Sequence, residues 1–119
     1  MSLMVVLGAS ANPERYSYKA VTRLVKNNFS VVAIGKKKGL IGDIPIHTEQ
    51  LALDDVHSVL MYLAPYHQGE IFSYVLSLRP KRVIFNPGTE SPEFEEILES
   101  YNIKVVHDCS LVMMAMGRF

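Results

Sequence analysis

The segment LMVVLGASANPERYSYKAVTRLVKNN (3–28) decides the fold. It opens with a short apolar run, LMVVL (3–7), continues through the loop GASANPERYS (8–17) and enters a stretch of helical periodicity. Val21, Leu24 and Val25 share one face of that stretch, as an amphipathic helix requires. A strand, a turn that starts at glycine and a helix packed back on the strand form the first half of a βα unit. The loop also resembles a phosphate loop in outline, although it carries one glycine where the usual dinucleotide fingerprint has three.

The unit recurs downstream. SVVAI (30–34), SVLMYL (58–63), RVIF (82–85) and KVV (104–106) complete a set of five candidate strands. A second helical pattern runs from Tyr66 to Ser77 through Ile71, Val75 and on to Leu78. A third opens at Ser91, with serine as N-cap, Pro92 in the first helical position and acids in the first turn. Its apolar positions are Phe94, Ile97, Leu98 and Tyr101. Strands alternating with helices imply parallel pairing through right-handed crossovers. Strands that are apolar throughout imply helices on both faces. The expected fold is a doubly wound α/β domain of three layers around a five-stranded, mostly parallel sheet. Only 35–57 breaks the pattern; its Gly, Pro and charged residues read as irregular. No internal repeat, low-complexity segment or linker interrupts the chain.

The 119 residues, 49% hydrophobic, suit one compact domain with a buried core. Twelve basic and twelve acidic side chains cancel, so no global field draws the chain to nucleic acid or an anionic membrane. No apolar run approaches a membrane span. The N-terminus lacks the basic and apolar segments of a secretory signal. The single cysteine, Cys109, cannot form an internal disulfide, and a reducing cytoplasm is the expected compartment.

In such a sheet a ligand sits beyond the carboxyl ends of the strands, where strand order reverses. In the first loop, Gly8-Ala9-Ser10 offers close backbone approach and a hydroxyl. Ser17 is placed to cap the helix and leave amides facing an anion, and Arg15 to add a bidentate contact. A plain capping turn with a surface arginine is the competing account. After the second strand, a NAD site would carry an acid for the ribose diol. Here Gly35-Lys36-Lys37-Lys38 follows instead, with no acid before Asp43, which suits a ribose-linked phosphate, as in NADP or coenzyme A. A solvated charged turn would also carry such a run. Ile41-Gly42 could cover an adenine face.

The chain resembles the small single-domain coenzyme A-binding proteins, which are similar to the N-terminal coenzyme A-binding domain of the succinyl-CoA synthetase α subunit. The resemblance rests on GAS…NPERYS (8–17), IGDIPIH (41–47), FNPGTESPEFEEI (85–97) and CSLVMMAMGRF (109–119). It implies a single Rossmann-like domain over 1–119 that binds coenzyme A without chemistry of its own. Gly8, Ser10, Arg15 and Ser17 would surround the pyrophosphate, Gly35 and Lys36 the 3′-phosphate and ribose, and Ile41 the adenine. Two departures stand out. The family commonly has Val-Asn-Pro after the second strand, where this chain has Ile34-Gly35-Lys36. It often carries a basic segment after the third, where this chain has Leu63-Ala64-Pro65-Tyr66-His67.

Asn86-Pro87-Gly88-Thr89 follows the fourth strand on the same rim, where Gly88 and Thr89 could meet the pantetheine arm or simply form a helix-entry turn. Cys109 would need a lowered pKa, from His107 or a following helix, to react; a buried, inert thiol is the simpler expectation. His47, His57, His67 and His107 lack metal-ligand spacing, so no metal is expected. No catalytic constellation is visible, and an enzyme is not expected. Met113, Met114 and Met116 read as core or contact residues, the latter leaving a homo-oligomer open. Two alternatives keep their place: an NADP-binding redox sensor or small oxidoreductase, and an interaction domain that has lost its ligand.

Overall fold

Strands without polar alternation must be covered on both sides, and the fold covers them. The computed structural model describes residues 2–119. In chain order they form β1 (Leu3–Leu7), α1 (Tyr16–Lys26), β2 (Ser30–Ile34), β3 (Gly39–Ile41), β4 (Ile44–His47) and β5 (Val56–Met61). Two 3-10 turns (Pro65–His67 and Gly69–Ile71) lead to α2 (Phe72–Leu78), followed by β6 (Arg82–Phe85), α3 (Pro92–Ser100), β7 (Lys104–His107) and α4 (Ser110–Ala115). The sheet order is β3-β4-β2-β1-β5-β6-β7. All neighbours pair parallel except β3 with β4.

β1 shows the two-sided burial residue by residue. Met4 and Val6 point into a core with Val21 and Leu24 of α1 and Met113 of α4. Val5 and Leu7 point into the opposite core, with Val75 and Leu78 of α2 and Phe94 and Leu98 of α3. The period of two along the strand sends alternate side chains to the two helix layers. Asparagines close α1 and α3. Asn28 and Asn102 adopt φ of 64° and 60°, and the next amides, of Phe29 and Ile103, donate back to Leu24 and Leu98. Asparagine tolerates that left-handed position better than most residues.

The expected five strands are all present, but the sheet has seven and is mixed. The segment 35–57 is not irregular throughout: β3 and β4 form a hairpin whose two-residue turn begins at Gly42, φ 59°. Other boundaries move as well. The third expected strand, 58–63, ends two residues earlier, which frees Tyr62 and Leu63 from the sheet. The second helix starts at Phe72 rather than Tyr66, because 65–71 winds into 3-10 turns.

The hairpin side of the sheet is locked to the first loop. The carbonyl of Ile34, the last residue of β2, accepts the amides of both Gly8 and Ala9, each at 3.0 Å. In return, the Ala9 carbonyl lies only 2.2 Å from where a Cβ on Gly35 would stand. Any side chain at 35 would drive the two loops apart. Gly35→Ala should therefore lower unfolding free energy in urea by about 1–3 kcal/mol, the cost of overpacking a backbone contact. Gly69→Ala, which meets open space, should change it by less than about 0.5 kcal/mol. Equal stability of the two variants would show that the lock is absent.

Candidate functional site

β1 is the switch point, since the chain leaves it toward β2 on one side and returns through β5 on the other. A cleft of about 650 Å³ opens there, across the carboxyl ends of β2, β1, β5 and β6. That volume lies within the range of small-molecule sites. Four adjacent strands at about 4.8 Å spacing give a trough on the order of 15 Å long. Its two ends differ in chemistry.

One end is cationic. Arg15, Lys36, Lys37 and Lys38 line it, and no carboxylate does. Among the described residues, no ion pair engages any of the four. Arg15, not Ser17, occupies the N-cap of α1, at φ −76° and ψ 142°, and no side chain caps the helix. Ser17 sits inside the first turn, 4% exposed, and still lines the cleft. An arginine at the cap cannot accept the first-turn amides, and no acid occupies that turn, so the helix presents its positive end without a competitor. Ser10 Oγ accepts the Asn12 amide at 3.1 Å, which leaves its proton free to donate into the cleft. Asn12 Oδ1 then accepts the Glu14 amide at 3.0 Å and holds the loop's second bend.

The other expected residues divide. Gly8 and Ala9 line the cleft, yet both amides are taken by Ile34. Gly8 is required by the protein itself: at φ 92°, its Cβ would stand 2.9 Å from the Tyr62 carbonyl carbon. Pro87 lines the cleft as expected, and so does Thr89, whose hydroxyl donates to the Asn86 carbonyl at 2.7 Å. Gly35 and Gly88 do not line it. Ile41 does not either; it is 3% exposed and packs in the core beside Ile46. Asn86 is a buttress rather than a contact. It is buried, its Nδ2 donates to Met61 O at 3.0 Å, and its Oδ1 accepts the Ser110 amide at 2.8 Å.

The far end is uncharged, formed by Tyr62 and Leu63 with Pro87 and Thr89. Tyr62 and Leu63 lie beyond the end of β5, although the apolar run 58–63 predicts them within a strand; the one hint in the sequence is a polar-tipped aromatic near the end of an aliphatic run. Burial pushes the Tyr62 phenol up to about 12, and the nearby Ser110 hydroxyl offsets only part of this. The two hydroxyls are close enough to interact electrostatically, but neither reaches a partner in hydrogen-bond geometry.

The remaining reactive side chains lie apart. Cys109 is half-buried at the N-cap of α4, and its amide donates to Asp108 Oδ1 at 2.7 Å. His107 does not serve it: its Nε2 meets Glu95 Oε1 at 2.6 Å, and Glu95 Oε2 accepts the amide of Ser91, the expected N-cap of α3. His47, His57 and His67 fall at the end of β4, the start of β5 and the first 3-10 turn. Met113 is buried, while Met116 is exposed. No helix among the described residues is long and apolar enough to cross a membrane.

A trough with a cationic end at a helix N-terminus and an uncharged far end invites comparison with nucleotide-binding proteins. A model of the CoA binding domain matches residues 3–115. The chain belongs to this family. Among solved structures, an uncharacterized protein is 41% identical, with a TM-score of 0.97 over 100% of this chain and 98% of its own. A Thermus thermophilus protein is 25% identical, with a TM-score of 0.85 over 99% and 90%. A hypothetical protein from Pyrococcus horikoshii OT3, at 18% identity, a TM-score of 0.86 and coverage of 95% and 81%, shares the fold. No curated protein matches the sequence.

The Tyr62 environment gives this CoA-binding domain a measurable pH signature. A phenol whose folded pKa lies above its unfolded value of about 10 adds stability below pH 10 that is lost as pH rises toward 12. The loss should approach 2–3 kcal/mol, as an order of magnitude. Tyr62→Phe should equal wild type or exceed it by up to about 1–3 kcal/mol at pH 7, since it removes a buried hydroxyl without a partner. Its stability should then decline less steeply between pH 10 and 12. Parallel stability curves for the two proteins would place the phenol in water.

Proposed function

We propose that the protein binds coenzyme A, or an acyl thioester of it, in this cleft and performs no chemistry alone. The observation that carries the reading is the polarity of the trough. Four unpaired cations meet the N-terminus of α1 at one end, and uncharged residues line the other. Coenzyme A has the matching polarity, a phosphate-rich nucleotide followed by a long uncharged arm. The pyrophosphate would accept hydrogen bonds from the first-turn amides, Ser10 and Arg15. Lys36 and Lys37, with Lys38 beside them, would take the 3′-phosphate. Pro87 and Thr89, facing Leu63 and Tyr62, would flank the arm. Gly8, Ala9, Gly35 and Asn86 would act indirectly, by holding these groups in place. A cytoplasmic setting, where free coenzyme A is reduced, agrees with the single unpaired thiol.

Melting temperature tests the reading directly. Coenzyme A at a hundred times its dissociation constant should add about 2.7 kcal/mol of stability. Dephospho-coenzyme A should stabilise less at equal concentration, because the lysine loop then has no phosphate to meet. Equal shifts would remove the lysines from the site, and a larger shift with NADP would replace the ligand. Arg15→Ala should weaken coenzyme A binding by about 1.5–3 kcal/mol, the range for a charged hydrogen bond. Titration calorimetry would measure it, and unchanged affinity would move the pyrophosphate elsewhere.

A further inference from the structure

The uncharged end of the cleft is held by a side chain that does not line it. Gln68 lies between the two 3-10 turns and is fully buried, at 0% exposure. Its Nε2 donates to the Leu63 carbonyl at 2.9 Å and to the Thr89 carbonyl at 2.6 Å. Leu63 follows β5 and Thr89 follows β6, and both line the cleft. One NH₂ group answering two carbonyls ties the two loops that form the opposite walls of this end. Below them, Asn86 repeats the connection one layer deeper, from β6 to the last carbonyl of β5.

The clamp satisfies two carbonyls but leaves its own oxygen unpaired. Gln68 Oε1 has no partner, and the other buried side-chain atoms without one among the described residues are Tyr62 OH and Ser110 Oγ. All three belong to this corner: Tyr62 lines the cleft, and the Ser110 amide is bound by Asn86. Folded proteins pair the large majority of such atoms, and an unpaired buried acceptor is a cost. A methionine would fill a similar volume and remove the orphaned oxygen, but it would leave the Leu63 and Thr89 carbonyls without this donor. What it could not do is hold two carbonyls at a fixed separation.

We propose that Gln68 is a positioning residue for the ligand's uncharged arm, setting the distance between Leu63 and Thr89 before the ligand arrives. The inference rests on the coenzyme A reading above. A slot of fixed width spares the ligand the ordering of two loops on binding, which raises affinity without any direct contact. Its effect must therefore fall on the arm and spare the nucleotide.

The test titrates wild type, Gln68→Met and Gln68→Asn with two probes, coenzyme A and adenosine 3′,5′-bisphosphate, which lacks the arm. Methionine keeps the length and loses the donors; asparagine keeps the amide but is one methylene too short to reach both carbonyls. Coenzyme A affinity should fall about tenfold in both variants, the scale of losing one or two neutral hydrogen bonds. Bisphosphate affinity should stay within about twofold, as for a distant, independent site. Equal losses for the two probes, or no loss for coenzyme A, would overturn the inference. Failure of both variants to fold would also overturn it, by showing that Gln68 holds the domain rather than the slot. Wild type that binds neither probe would instead remove the proposed function, and this inference with it.

Discussion

The site depends on one reciprocal backbone contact. Ile34 O takes the amides of Gly8 and Ala9, and Ala9 O occupies the space a side chain at Gly35 would need. The exit of β1 and the exit of β2 are thereby fixed to each other before any ligand is considered. The cationic end of the cleft is held by that contact. Arg15 belongs to the first loop and Lys36–Lys38 to the second; the parallel pairing of β1 with β2 makes the loops neighbours, and the interlock fixes their approach. The hairpin β3–β4 extends it: a Cβ on Gly39 would stand 3.1 Å from the Ala11 side chain, so the hairpin also rests against the first loop. The chain's overall charge of zero is thus no guide to its local field. A neutral protein can still concentrate positive charge where a fold brings two loops together.

The sequence exposed the parts of the fold that rest on long apolar periodicity. The runs at 3–7, 30–34 and 82–85 became strands with the expected bounds, and Ser91-Pro92 opened α3 where capping chemistry placed it. It concealed the parts that rest on few residues. β3 and β4 have three and four residues, and Pro45, which has no amide to donate, sits inside β4. The visible signal was Ile41-Gly42-Asp43-Ile44, a two-residue turn between apolar residues, which is a hairpin pattern. Ser17 looked like a cap because serine is a good one; the structure instead places the cap two residues earlier, at a residue whose side chain cannot cap. Among the site residues, those named from charge and hydroxyl chemistry lie in the cleft: Ser10, Arg15, Ser17, Lys36 and Lys37. Ile41, named as a flat apolar cover, was needed by the core instead. Asn86 was needed to join β5, β6 and α4. Gln68 carried no legible signal, since nothing local separates a buried glutamine from a solvated one.

Retention of the cleft argues against a domain that has kept its fold and discarded its ligand. Four like charges share one wall with no carboxylate among them. The opposite end holds the buried hydroxyl of Tyr62, with the orphaned atoms of Gln68 and Ser110 behind it. Neither feature helps the chain fold. Apolar replacements at Tyr62 or Ser110 would remove their orphaned hydroxyls. On the coenzyme A proposal, a polyanion with an uncharged arm would meet both ends at once. A nicotinamide dinucleotide would answer the cationic end as well, but it would bring a second ribose and a planar ring to walls of one proline, one leucine, a threonine and a tyrosine. Gln68 ties the Leu63 and Thr89 loops together at that end, and on the coenzyme A proposal the uncharged arm would run between them.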